Sequence, residues 1–470
     1  MTTFLVDRHS DQPLYRQIYD SCRTAILSGR MRPGERLPST RALAAELRVS
    51  RLPVVNAFEQ LLHEGYIVGK VGSGTFVNES IPDELAQVAA AARAPRTATR
   101  EQQRARPIGA LRVSLPALDR FPLRLWSRLL AKHAKALTIE QMAYGDPAGY
   151  WPLRAAVADY LRTVRGVSCD AEQVLIVSGS QMALQVCALT LLPRGTTVCV
   201  EEPGYPGARE ALCRGGARFV PVRVDDEGID VRSMAKKTRA VYVTPSHQYP
   251  LGVSMSVTRR LELLEWARRN GAWIIEDDYD SEFRYASRPL DALQGLDSSS
   301  RVIYLGTFSK VVFPSLRLGY VVVPRALIAE FIRQRESIDL FSPVLEQVVL
   351  ADFLRAAHFA RHVRRMRVIY EKRRDALVRG LREYCGLIPH NTDAGLHVTA
   401  FLPEGVDDVA LVKAAASRGI DGIALSTCYA GPARKGLVLG FGGSSERRIV
   451  AACKGLGELV SSRWDESNPD

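Results

Sequence analysis

The chain lacks a long apolar run, lacks paired cysteines and lacks a concentrated basic segment. It opens Met1-Thr-Thr-Phe-Leu-Val-Asp, with no basic region leading into a long hydrophobic stretch. Neither a secretory leader nor a membrane span is expected, and a cytoplasmic location is. The eight cysteines are isolated and none forms a Cys-x-x-Cys pair. That pattern fits reduced thiols, not a disulfide frame or a zinc site, and no metal is expected. The net charge of +12 is compatible with a nucleic-acid partner, but it is spread along the chain. Residues 1–79 hold ten Lys/Arg against eight Asp/Glu, so charge alone does not identify a DNA binder. What is present is a globular composition, 46% hydrophobic and 24% charged over 470 residues. That length suits one small domain and one large one.

Residues 11–79 read as the small domain. Leu14, Ile18, Cys22, Ala25 and Ile26 share one side of a helix predicted over Pro13–Leu27, with Gly29 just past its end. Pro33-Gly-Glu-Arg-Leu-Pro-Ser39 leads into a second helix through about Leu47, which Ser39 can cap. Ser50 can cap a third, Arg51 to about His63. Two short helices joined by a tight turn predict helix-turn-helix geometry, with the second helix laid in the major groove. Arg51 and Asn56 then lie one turn apart near the base edges. Gly65-Tyr-Ile-Val-Gly-Lys70 and Gly74-Thr-Phe-Val77 predict two strands around a glycine-rich turn, a wing that offers Lys70 to phosphates.

Residues 80–107 are rich in alanine and carry five arginines but few large apolar side chains, so they read as a linker without a core. From 108 to 465 short apolar runs alternate with helical patterns: Val174–Val177, Thr197–Val200, Ala240–Val243, Ala272–Ile275, Val302–Leu305 and Gly319–Val323. This predicts an α/β domain on a mostly parallel sheet, with ligands gathered beyond the strands' carboxyl ends.

The polar residues at those ends carry the chemistry. Tyr304-Leu-Gly-Thr-Phe-Ser309-Lys310 ends an apolar strand with a lysine, which is costly unless the ammonium is paired, neutralised or converted. One conversion is a Schiff base with an aldehyde cofactor, pyridoxal 5'-phosphate, whose phosphate suits Ser309 and Arg317. Asp277, at the end of Trp273-Ile-Ile-Glu-Asp277, can pair with a protonated pyridine nitrogen, and Tyr279 can bond the ring oxygen. Ser178-Gly-Ser180-Gln181 opens a helix and can present amides and hydroxyls to an anion, though small residues are also ordinary strand-to-helix connectors. Tyr205, held in Glu202-Pro-Gly-Tyr-Pro-Gly, can stack on a planar ring, though most turn tyrosines are structural.

The head resembles the winged-helix domain of the GntR superfamily through its Pro-Gly-x-x-Leu-Pro-Ser-x-Arg stretch, its Ser50-Arg51 helix start and its Gly-Ser-Gly-Thr-Phe-Val wing. The resemblance implies DNA contacts from Arg41 and Arg51. Leu52-Pro53 departs from the small or polar pair usual there, and proline in a first turn leaves the fold intact. The large domain resembles fold-type I pyridoxal-phosphate enzymes of the aminotransferase class. Its marks are Tyr144-Gly-Asp-Pro-Ala-Gly149-Tyr-Trp-Pro-Leu-Arg154, Glu202-Pro-Gly-Tyr205, Thr244-Pro-Ser-His247-Gln248-Tyr-Pro, Glu276-Asp-Asp-Tyr279-Asp-Ser-Glu-Phe and Gly306-Thr-Phe-Ser-Lys310. The two halves together are similar to the MocR/GabR regulators. By this resemblance Lys310 forms the internal aldimine, Asp277 meets the pyridine nitrogen, Tyr279 meets the ring oxygen and Tyr205 stacks. Ser180, Gln181, Ser309 and Arg317 hold the phosphate, with Tyr144 supplied by the second subunit of a homodimer. Two positions depart from the group. Leu251 replaces a small or hydroxyl residue. Near Gly436 the arginine with which aminotransferases clamp a substrate carboxylate is missing, leaving Arg434 and Arg209 as candidates for the effector.

The expected function is transcriptional regulation: operator DNA bound by the head, and a small amine, amino acid or B6 vitamer read through Lys310. The alternative is a working aminotransferase with an attached head, in which Lys310 shuttles the proton.

Overall fold

A computed structural model describes residues 6, 7, 10, 12–80, 107–285 and 290–467. It divides into two compact units, Met1–Arg106 and Pro107–Asp470. Nearly all of the expected linker, residues 81–106, lies outside the described residues.

In the first unit three helices, α1 (Leu14–Leu27), α2 (Thr40–Glu46) and α3 (Arg51–His63), precede a two-stranded ribbon of β1 (Ile67–Lys70) and β2 (Gly74–Val77). Ile18, Cys22 and Ala25 of α1 share a buried core with Leu43 of α2 and Val54, Ala57, Phe58 and Leu61 of α3. The apolar spacing expected of α1 therefore holds, because residues three and four apart stand on one face. Ser39 caps α2 by accepting the Ala42 N–H at 3.1 Å. Ser50 occupies the equivalent position before α3, but its side chain makes no cap bond, contrary to expectation. In the ribbon Ile67 faces Val77 and Lys70 faces Gly74. The turn between them includes Gly72 at φ 73°, a left-handed conformation that favours glycine.

The second unit is a three-layer α/β/α domain. Its large sheet comprises β3 (Val174–Val177), β4 (Thr197–Glu202), β5 (Arg218–Asp225), β6 (Gly228–Ile229), β7 (Ala240–Val243), β8 (Trp273–Asp278), β9 (Val302–Thr307) and β10 (Gly319–Val322). The strand order is β3-β10-β9-β8-β7-β4-β5-β6. Alternate residues feed opposite layers. Leu175, Val177, Val200, Tyr242, Ile275 and Leu305 join one apolar cluster, while Val174, Ile176, Tyr304 and Tyr320 join another on the opposite face. Burial on both faces explains why these strands read as continuous apolar runs. The core from β5 through β4, β7 and β8 to β9 is parallel, whereas β10 is antiparallel to both neighbours. The chain between β9 and β10 is too short for a crossover helix, which is why this strand reverses.

After β4 the chain adds β5 on one side and then returns to build β7, β8 and β9 on the other, so the carboxyl ends of β4 and β7 flank a topological switch point. A smaller antiparallel sheet follows, made of β11 (Pro389–His390), β12 (His397–Phe401), β13 (Ile423–Ala424) and β14 (Gly436–Gly440), in the order β11-β12-β14-β13. Among the described residues no helix is long and apolar enough to cross a membrane.

Candidate functional site

Three acids end β8, and strand alternation sorts them. Glu276 accepts the backbone N–H groups of Leu293 and Gln294 at 2.8 Å each. Asp278, on the same face, accepts from Arg165 Nε at 2.9 Å and from the Tyr304 hydroxyl at 2.5 Å. Both are structural anchors. Asp277 points the other way, where the Tyr242 hydroxyl donates to its Oδ2 at 2.7 Å. Its Oδ1 is buried without a partner. Burial raises the Asp277 carboxyl to about 6, against a Tyr242 hydrogen bond that lowers it. A buried carboxylate oxygen left unpaired is costly, and a protonated ring nitrogen is the kind of group that satisfies it.

Lys310 follows β9. Its Nζ donates to the Ser114 carbonyl at 3.1 Å. Burial lowers its basicity, while the Asp280 and Asp277 carboxylates act in the opposite sense. An amine whose charge burial disfavours is a candidate nucleophile for an aldehyde. Tyr279 donates its hydroxyl to the His247 carbonyl at 2.8 Å, and its phenol lies 3.1 Å from His247 Nδ1. Burial pushes the Tyr279 phenol well above its usual value, so it stays a donor.

The anion cradle forms at the N-terminus of the helix Ser180–Leu191. Arg317 donates to the Ser178 carbonyl at 2.7 Å. A Cβ on Gly179, whose φ is 93°, would stand 3.2 Å from both terminal guanidinium nitrogens, so glycine allows this close approach. Ser180 and Gln181 occupy the first helical turn, and Gln181 donates to the Tyr205 hydroxyl at 3.1 Å. Ser309 lies buried beside Thr307, whose hydroxyl accepts the Ser309 N–H at 3.2 Å. Asp277, Tyr279, Lys310, Ser309, Ser180, Gln181 and Tyr205 thus follow the carboxyl ends of sheet strands, Arg317 enters the antiparallel β10 at that same edge, and their groups fit a phosphorylated pyridine aldehyde. Tyr144 does not join them within one chain. It is 85% exposed and packs edge-on against Phe341 at 6.0 Å.

Several site residues had no assigned role in the sequence. Asp280 accepts from His247 Nδ1 at 3.0 Å and from the Leu396 N–H at 3.1 Å. Gly395, whose Cβ would fall 2.0 Å from His247, makes room for that imidazole. His397 lies parallel to Tyr279 at 6.5 Å, and burial holds its imidazole neutral, down to about 3. Glu201 accepts from Thr244 and Gln248 beneath the site, and burial raises it to about 7. The available signals were polar: a tyrosine inside the apolar strand Ala240–Val243, and histidines flanked by small or apolar neighbours, must find partners when buried. Nothing in the sequence marked the Ser114 carbonyl.

The two arginines expected near an effector are both engaged. Arg209 pairs with Glu202 at 3.6 Å, and Arg434 lies over the Phe401 ring at 3.6 Å. On the head, Ser39, Arg41, Arg51, Asn56 and Lys70 are exposed. Arg51 Nε donates to Thr40 Oγ1 at 3.2 Å, bridging the start of α3 to α2. Lys70 stands over the Phe76 ring at 5.1 Å.

Comparison with known proteins supplies two family matches: "Bacterial regulatory proteins, gntR family" over residues 14–77, and "Aminotransferase class I and II" over residues 128–433. The chain is 39% identical to the "Probable rhizopine catabolism regulatory protein MocR" of Rhizobium meliloti, covering 93% of this chain and 92% of that protein. It is 32% identical to the "HTH-type pyridoxine biosynthesis transcriptional regulator PdxR" of Corynebacterium glutamicum, covering 96% and 97%. Among solved structures it is similar to LysN, the α-aminoadipate aminotransferase of Thermus thermophilus complexed with a phosphopyridoxyl-leucine. That match has 27% identity and a TM-score of 0.71, covering 76% of this chain and 93% of that one.

Proposed function

The chain belongs to the MocR-type transcriptional regulators, a gntR-family DNA-binding domain joined to an aminotransferase class I and II domain, and on that footing we propose that it regulates transcription by reading a small amine, amino acid or B6 vitamer at Lys310. Its cofactor is pyridoxal 5'-phosphate, an electron-withdrawing aldehyde that an amine can load and exchange. The observation that carries the reading is that Lys310, whose basicity burial lowers, and Asp277, whose buried Oδ1 has no partner, stand at the ends of the neighbouring strands β9 and β8. Lys310 would hold the cofactor's aldehyde, and Asp277 would keep its ring nitrogen protonated. Tyr279 donates to the ring oxygen, Tyr205 covers the ring, and Ser180, Gln181, Ser309 and Arg317 take the phosphate at a helix N-terminus.

An incoming amine would compete with Lys310 for that aldehyde, and the lysine so released would stand as a free amine beside Asp280 and Asp277. That exchange alters charge within a buried site, and a ligand that prefers one arrangement of the protein shifts its population toward it. The homodimer brings Tyr144 of the second subunit to the phosphate. In support, Ile139, Met142 and Tyr144 expose 78%, 66% and 85% of their surfaces, an apolar set that a second copy would cover. In the cytoplasm two heads then meet paired half-sites on operator DNA, with Arg41 and Arg51 at α2 and α3, Ser39 and Asn56 beside them, and Lys70 on the wing.

The test is an absorbance scan of the full chain with pyridoxal phosphate, followed by titration with amines and vitamers. A visible band that one amine moves, and that Lys310→Ala abolishes without unfolding the protein, is the expected result. An unchanged spectrum in Lys310→Ala would refute the assignment. Complete turnover with a keto-acid acceptor would instead establish an aminotransferase.

A further inference from the structure

The C-terminal sheet meets the site along one face. His397 Nε2 and Thr399 Oγ1 lie 3.2 Å and 2.5 Å from the Pro250 carbonyl, in the loop that carries His247. Thr399 pairs directly with Val438 and His397 with Gly440. Residues opposite one another in an antiparallel pair stand on the same face. Val438 and Gly440 therefore look the same way as Thr399 and His397. The alternate residues Val398, Ala400, Leu437 and Leu439 turn into the core. Where this face reaches the His247 loop it is neutral, an imidazole held uncharged and a hydroxyl, while Gly440 packs against the Arg112–Val113 backbone.

The cations nearby are committed elsewhere. Arg209 faces Glu202, and Glu202 is fixed by the N–H groups of Ala430 and Gly431 at 2.6 Å and 2.9 Å, so it does not swing aside freely. Arg434 covers the Phe401 ring, and Lys435 pairs with the buried Asp408 at 3.5 Å. Arg317 belongs to the anion cradle. A carboxylate arriving on an amine would therefore have to draw Arg209 away from Glu202, with which it forms an ion pair at 3.6 Å. A cationic or neutral group meets no such conflict.

We infer that the ligand read at Lys310 is a primary amine that carries no carboxylate, its remaining groups being neutral or cationic, and that the Glu202–Arg209 pair enforces this choice. The inference rests on the amine-sensing reading above. The test is a spectral titration of the full chain loaded with pyridoxal phosphate, using methylamine as the minimal amine and matched pairs: alaninol against alanine, and aminobutanol against γ-aminobutyrate. Each amino alcohol should shift the band at a concentration at least about tenfold lower than its amino acid, the factor that one charge-assisted contact commands. Glu202→Gln, which frees Arg209, should narrow that ratio by about tenfold. Amino acids acting as well as or better than the alcohols would overturn the inference and leave the amine-sensing reading standing. A band that even methylamine leaves unmoved would refute the amine-sensing reading, and this inference with it.

Discussion

Replacing Asp277 with asparagine isolates the one site acid whose burial has a direct energetic signature. In the cofactor-free protein the Asp277 carboxyl is raised from 3.8 to about 6, chiefly by burial. An acid with a raised folded-state pKa binds its proton more tightly when folded. Its charge therefore costs stability as pH rises from about 4 to about 6, and the full cost is present above that window. The shift is worth about 3 kcal/mol at about 1.4 kcal/mol per unit. Asparagine keeps an oxygen for the Tyr242 hydroxyl and offers an uncharged amide where Oδ1 has no partner. Asp277→Asn should match the parent near pH 4 and exceed it by up to about 3 kcal/mol at pH 7. For a unit the size of Pro107–Asp470 that corresponds to a rise of about 4 °C in Tm. Pyridoxal phosphate should invert the comparison, because a protonated ring nitrogen loses its anionic partner in the variant and the stabilisation by cofactor shrinks. Thermal unfolding across pH 4–7, with and without cofactor, reads both effects. A cofactor-free variant no more stable than the parent at pH 7, or one stabilised by cofactor as strongly as the parent, refutes the role given to this carboxylate.

Arg317→Ala should weaken pyridoxal phosphate binding by about tenfold or more while leaving unphosphorylated pyridoxal nearly unaffected, since only the phosphate uses the guanidinium. Equal losses for both vitamers, measured by spectral titration, would place Arg317 outside the anion cradle. Arg51→Ala should weaken operator binding by about tenfold or more at matched salt, with cofactor uptake intact. An unchanged DNA affinity in an electrophoretic or anisotropy assay would mean that the start of α3 does not reach the bases.

Much of this architecture was legible because periodicity and polarity agreed. The helix Leu14–Leu27 follows from apolar residues three and four apart, and the buried strands follow from uninterrupted runs such as Val174–Val177. A lysine, an acid and a tyrosine at the ends of such runs announce chemistry, because burying them otherwise is unfavourable. Strand β5 is not legible in this way because Arg218, Pro221 and Arg223 break its apolar pattern, and only Val222 and Val224, on one face, are buried. The reversal of β10 was equally hidden, since a short apolar run carries no sign of its direction.

The sequence by itself determined the order of the parts: a winged head, then a doubly covered sheet with Asp277, Tyr279 and Lys310 at strand ends. These are local properties, fixed by side-chain spacing and the cost of burying charge. Tertiary structure alone decided which groups meet. It turned Asp277 toward Tyr242 while Glu276 and Asp278 faced backbone amides and Arg165, and it set Arg209 against Glu202. It brought His397, more than a hundred residues away in the chain, beside Tyr279. Such pairings join segments distant in sequence through the order and register of the strands, which local spacing does not encode.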